Sequence, residues 1–162
     1  VTALPEVDES YPDTLSGEEI RLYISQEKAA AYRRFMKDNT LLITADTIVW
    51  LDGKVYGKPR NTADAKAMLQ ALSGKTHTVI TGVTLTSLQK QISFAVSTEV
   101  TFAALGDDEI DYYVETYRPL DKAGAYGVQE WIGYIGVTGL KGSYYNVMGL
   151  PIQRLYTELK KF

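Results

Sequence analysis

Apolar and polar positions follow two different periods along the chain, and the switches between them mark out its elements. Residues 1–14 are acidic and broken by Pro5 and Pro12, and read as a strand end followed by a loop. Ser16-Gly17-Glu18-Glu19 then places Ser at an N-cap with Glu three positions on, a capping box that opens a helix. Ile20, Tyr23, Ile24, Ala31 and Phe35 recur at helical spacing and define a buried stripe, carrying the helix to about Asp38. Leu41–Ala45 and Ile48–Leu51 form a nearly continuous apolar run, as a strand covered on both faces would. Asp52-Gly53 is a hairpin turn leading into a short strand at Lys54–Tyr56.

Thr62–Leu72 has Ala65, Met68, Leu69 and Leu72 on one side and Gly74 as a stop, a second helix. Thr76–Leu88 and Gln91–Phe102 are β-rich, and the polar link between them predicts an antiparallel pair. A third helix is expected over Asp107–Thr116, with acids in its first turn. After Pro119 the chain turns Gly- and Tyr-rich, passes through a strand-like Gly133–Val137, and reaches Pro151, which opens a last helix ending near Phe162. The pattern predicts one mixed α/β domain over residues 1–162.

Composition narrows the chemistry. A length of 162 residues suits one domain. A net charge of −3, with the 17 basic residues scattered, gives no footprint for a nucleic-acid backbone. No apolar run approaches the roughly 20 residues that cross a bilayer, and the N-terminus has no basic and apolar regions of a secretory signal. Cysteine is absent, which removes disulfides, thiolate nucleophiles and zinc–thiolate sites, and is compatible with a cytoplasmic protein. His77 is the one histidine, and Thr76-His77-Thr78 alternates as a strand does, so it reads as a sheet residue and not as part of a hydrolytic triad. Any bound metal would then take carboxylate and water ligands, which favours Mg²⁺ or Mn²⁺.

The charged residues in odd places are few. Asp46 lies inside the most apolar stretch, where an unpaired carboxylate is costly. Position alone leaves open a cleft-facing or metal-binding group and one that caps a turn. Lys28 falls on the apolar stripe of the first helix, either snorkelling to solvent or facing a site. Lys58 follows the short hairpin strand in Tyr56-Gly57-Lys58-Pro59, where most lysines are merely solvated. Asp121-Lys122-Ala123-Gly124-Ala125-Tyr126-Gly127-Val128-Gln129 combines two glycines with an acid, a base and an amide. It is either a tight turn or a loop that lets backbone approach a ligand, and it lacks P-loop spacing.

Taken in order, several segments resemble the Maf family of nucleotide pyrophosphatases. They are Asp8-Glu9, Gln26-Glu27-Lys28-Ala29, Thr44-Ala45-Asp46-Thr47-Ile48-Val49, Gly57-Lys58-Pro59, Leu72-Ser73-Gly74, Thr76-His77-Thr78-Val79, Asp121 to Gln129, and Gly142 to Pro151. The resemblance implies an elongated α/β domain around a twisted mixed β-sheet with a cleft, similar to the inosine-triphosphate pyrophosphatase architecture. It implies hydrolysis of a nucleoside triphosphate between the α and β phosphates. Asp46 would be the catalytic acid/base, with Glu9, Lys28, Lys58 and Gln129 completing the site and a divalent cation on Glu9 and Asp46. Gln129 and the 124–127 backbone, Gly124 and Gly127 included, would read the base. Thr47 and Gln129 look like the dTTP/UTP type, whereas the 7-methyl-GTP type tends to carry Gln and Glu there. Homodimerisation is a further expectation from the family.

The chain departs from the family at its start, where a strand and a Ser-x-Ser-Pro-Arg-Arg segment are expected and are not found in residues 1–162. That departure keeps a second expectation open, a catalytically impaired nucleotide-binding regulator linked to septum formation. A plain scaffold domain is the third, and it requires Lys28, Asp46 and Lys58 to be unrelated in space.

Overall fold

The computed structural model describes residues 7–162; the strand end expected near the start falls partly within residues 1–6, outside the described residues. Helix α1 spans Gly17–Arg33, and its capping box forms as the sequence indicates, with the Ser16 N–H donating to Glu19 Oε2. Strand β1 is Leu42–Leu51 and β2 is Lys54–Tyr56. Asp52 and Gly53 join them with φ of 52° and 78°, the left-handed pair that a two-residue hairpin turn demands. Helix α2 is Thr62–Leu72, with the Asn61 side chain accepting from the Asp64 N–H at its start. Strands β3 (Thr76–Thr86) and β4 (Gln91–Phe102) form the long antiparallel pair. Helix α3 (Asp107–Tyr117), a 3₁₀ turn at Ala123–Ala125, α4 (Trp131–Gly136), β5 (Val137–Lys141), α5 (Tyr144–Val147) and α6 (Ile152–Leu159) complete the chain.

The sheet runs β2-β1-β3-β4-β5, antiparallel throughout among the described residues. Because successive strand side chains point to opposite faces, β1 offers Thr44, Asp46 and Ile48 to one side and Ala45, Thr47, Val49 and Leu51 to the other. Helix α1 covers the first side. Ser25 Oγ lies 2.7 Å from Thr84 Oγ1, and Thr44 Oγ1 donates to the Ser25 carbonyl at 2.7 Å. The second side carries the main core: Val49, Leu51, Val79, Val100 and Phe102 pack on Leu69 and Leu72 of α2, on Ile110 and Tyr113 of α3, and on Tyr126 and Ile132. Each such buried side chain contributes about 1.5–3 kcal/mol. A smaller cluster, Val83, Leu85, Phe94 and Leu155, sits at the far end under α6. A cleft opens between the two clusters. Among the described residues no helix is long and apolar enough to cross a membrane.

Two elements depart from the expectation. Helix α1 stops at Arg33 rather than near Asp38, and Phe35 is 63% exposed rather than part of the buried stripe. The helix runs along β4, with Glu18 meeting Ser97, Gln26 meeting Ser93 and Arg33 meeting the Leu88 carbonyl at the tip of the β3–β4 hairpin. Among the described residues no strand extends beyond that tip for Phe35 to pack on. Gly133–Gly136 belongs to α4 rather than to a strand. The Gly133 N–H donates to the Glu130 carbonyl at 2.9 Å, and a Cβ on Gly133 would collide with the Val128 backbone, so local bonding closes a helical turn there. The strand begins only at Val137, which pairs with Phe102 beside an irregularity at Thr101 and Phe102.

Candidate functional site

The cleft encloses about 260 Å³ and is walled by six parts of the chain. Ala45, Asp46, Thr47 and Val49 of β1 and Val79 of β3 form its floor. Lys28 of α1 and Lys58, just past β2, enter from one side; Asp121, Lys122, Ala123, Tyr126, Gly127 and Gln129 form a second wall, and Val147, Met148 and Gly149 a third. Since β2 pairs only with Val49–Leu51, no strand among the described residues covers that edge of β1 at Asp46. This is where the lysines reach in.

Asp46 is buried and carries two cations. Lys28 Nζ donates to its Oδ1 at 2.6 Å, and Arg21, itself buried, donates to its Oδ2. Lys28 also lies 3.0 Å from Glu9 Oε1, and the same oxygen is 3.6 Å from Lys58 Nζ. Carboxylates and ammonium groups therefore alternate: Asp46, Lys28, Glu9, Lys58. The row continues on the opposite wall, where Lys122 Nζ sits 3.1 Å from Asp121 and 3.3 Å from Glu130.

Charge sets the protonation of this row. Burial alone would pull Lys28 down, but the Asp46 charge and hydrogen bond, reinforced by Glu9, outweigh it and hold the ammonium above its usual value. Partial burial would raise Glu9, yet Lys28 and then Lys58 keep its carboxyl below the ordinary range. Lys122 behaves like Lys28, with Asp121 and Glu130 overcoming desolvation. Burial lowers Arg21, opposed by Asp46, though a guanidinium remains a cation at any ordinary pH.

Of the residues singled out in the sequence, Asp46, Lys28, Lys58, Thr47, Gln129 and Gly127 line the cleft. Glu9 is tied to the cleft through both lysines. Thr47 Oγ1 lies 2.9 Å from Thr81 Oγ1 on the cleft floor. Gly124 stands apart: its N–H donates to the Gly57 carbonyl at 3.0 Å, and it packs on Val49 behind the lining. At φ +67°, with a Cβ that would lie 2.7 Å from Val49 Cγ2, it docks the loop onto β1. His77 is a core residue, its Nε2 2.7 Å from the Tyr126 hydroxyl and its ring edge-on to Phe102.

Three more residues shape the site. The sequence pattern does not single out Arg21; its position seven residues before Lys28, two helical turns along one face, is the available signal. Lys122 lies in the Gly-rich segment, where the sequence marks it only as a base beside the glycines. Asn146 is fully buried, and its amide donates to the Val79 and Val96 carbonyls and to Thr98 Oγ1. It fastens α5 to the sheet, which places Val147–Gly149 along the cleft.

The donor set suits a hard cation in kind. Glu9 and Asp46 oxygens converge on one ammonium, although among the described residues no three acids or histidines cluster so as to hold an ion alone. Substrate oxygens and water would have to supply the remaining ligands, the usual arrangement for Mg²⁺.

Comparison with known proteins adds a family context. The sequence profile described as Maf-like protein matches residues 1–162. The chain is 67% identical over 161 residues to the dTTP/UTP pyrophosphatase of Phocaeicola vulgatus, covering 99% of this chain and 83% of that protein. It is 57% identical over 162 residues to the protein of the same name from Parabacteroides distasonis, covering 100% and 84%. For the Flavobacterium psychrophilum protein of that name the figures are 47% over 156 residues, covering 96% and 80%.

Proposed function

The chain belongs to the Maf family, and on that premise we propose that its cleft is the active site of a nucleoside triphosphate pyrophosphatase converting dTTP and UTP to the monophosphate and pyrophosphate. The observation that supports this most is the meeting of Asp46, Lys28, Glu9 and Lys58 from four separate segments at one open strand edge. A scaffold domain has no need of such a row, and the desolvation of Asp46 and Lys28 is a cost that substrate binding would explain.

In this reading Asp46 Oδ1 orients a water and accepts its proton as the water oxygen attacks the α-phosphorus. The bond from the α-phosphorus to the α–β bridging oxygen breaks, and pyrophosphate leaves with that oxygen. Lys28 and Lys58 neutralise charge on the phosphates and on the departing pyrophosphate. Glu9, with Asp46 beside it, would hold a divalent cation, Mg²⁺ or Mn²⁺, which would supply further charge neutralisation. Thr47 on β1, Gln129 and the Gly127 backbone read the base, with Gly124 setting the position of the loop that carries the last two. Residues 1–162 act as one domain.

Release of phosphate from dTTP and UTP, measured with Mg²⁺ and added inorganic pyrophosphatase, tests the assignment. Phosphate should appear only when the auxiliary enzyme is present. Phosphate released without it would mean cleavage at the terminal phosphate, and no turnover in either case would remove the enzymatic reading.

A further inference from the structure

Two cations hold Asp46, and the structure treats them differently. Lys28 lines the cleft, its side chain is 21% exposed, and it divides its ammonium between Asp46 and Glu9. Arg21 is 5% exposed at its side chain, lies outside the cleft lining, and has Asp46 as its one ion-pair partner among the described residues. The Tyr11 ring lies beside it, its centre 5.8 Å from the guanidinium carbon.

The backbone is arranged to allow this seating. Gly82 is the β3 residue directly opposite Asp46 in the β1–β3 register. A Cβ on Gly82 would run into the Arg21 carbonyl and the Leu22 nitrogen, so the bare glycine lets α1 settle onto the sheet at Arg21. One glycine thus puts the Arg21 backbone against the strand pair and its guanidinium on the carboxylate next door. Ser25, one turn further along α1, locks the same face by its contacts with Thr84 and Thr44.

We infer that Arg21 is a positioning residue for the proposed hydrolysis: it is the permanent counter-ion on Asp46 Oδ2, whereas Lys28 is the exchangeable one that turns from Oδ1 to the incoming phosphates. The inference rests on the pyrophosphatase reading above. It resolves a chemical difficulty in that reading, because a carboxylate with both oxygens in ion pairs is a poor acceptor for a water proton. Phosphate oxygens compete with Asp46 and Glu9 for the Lys28 ammonium. When they win, Oδ1 is freed to face the water, and Arg21 still holds Oδ2 in place. Asp46 is never left as an unpaired buried charge, which would be expensive. Arg21 itself touches neither the substrate nor the water.

Steady-state kinetics of Arg21→Gln and Arg21→Lys with dTTP, together with thermal unfolding of Arg21→Gln, Asp46→Asn and the double variant, test this. Arg21→Gln should lower kcat by roughly 30-fold or more while KM stays within about 3-fold, the pattern of a lost transition-state arrangement. Arg21→Lys should recover most of kcat, since the contact is to a single oxygen. Breaking the buried pair should lower the Tm of Arg21→Gln by about 10 °C, and adding Asp46→Asn should cost little more, because the two losses are one interaction. A folded Arg21→Gln with wild-type kcat, or one with raised KM alone, would overturn the positioning role. If the wild-type protein turns over no triphosphate, the pyrophosphatase reading fails separately, and the unfolding cycle still decides the pairing: additive Tm losses would sink it.

Discussion

The Lys28 ammonium lies 2.6 Å from Asp46 Oδ1, joining an amine on α1 to a carboxylate on β1 at the one stretch of that strand that β2 leaves uncovered. The pair explains why two charged residues interrupt two apolar patterns. Each makes the other tolerable.

Asp46→Asn keeps the side-chain shape and an oxygen for Arg21 but removes the proton acceptor. Its kcat for dTTP should fall about 10²–10⁴-fold, the usual worth of a positioned acid/base. Circular dichroism should show a folded protein. Near-wild-type turnover would remove Asp46 from the acid/base role.

Gly124→Ala forces a side chain onto a residue at φ +67° whose Cβ would lie 2.7 Å from Val49 Cγ2. The left-handed backbone costs roughly 1–2 kcal/mol, and overpacking against Val49 about 1–3 kcal/mol. A lower Tm is expected together with reduced activity, because the same loop carries Lys122 and Gln129 into the cleft. An unchanged melt would show that the loop docks on β1 less tightly than this geometry requires.

His77 links stability to pH. Burial lowers its pKa from 6.5 to about 4, so the folded protein holds it neutral where the unfolded chain would protonate it. The sign follows: between about 6.5 and 4 the unfolded state binds more protons, and stability is lost as pH falls through that window. The full effect is on the order of 3 kcal/mol. In His77→Phe, denaturant titrations from pH 7 to 4 should lose that share of the slope, whatever the change in absolute stability. An identical slope in both proteins would contradict the neutral buried histidine.

How far the sequence led can be judged element by element. Ser16 with Glu19 and Asp52-Gly53 are local signals, and each formed the cap or turn that its chemistry dictates. Asp46 and Lys28 were legible because a charge inside an apolar period is conspicuous. The exposure of Phe35 was not, since it depends on where the β3–β4 hairpin ends beneath α1, a fact of tertiary packing. The helical turn at Gly133 was hidden for a related reason: the backbone of Val128 lies against it, and the strand pattern of Gly133–Val137 carries no trace of that approach. Arg21 on α1 carries no such mark, because its partner on β1 and the glycine on β3 that admits it are remote in sequence.

In the proposed reaction this cleft directs water to the α-phosphorus. Hydrolysis of dTTP in ¹⁸O-labelled water, with mass spectrometry of both products, tests it most directly. One labelled oxygen is expected in the nucleoside monophosphate and none in the pyrophosphate. Label in the pyrophosphate would place the attack on the β-phosphorus and contradict the arrangement of Asp46 and the lysines argued above.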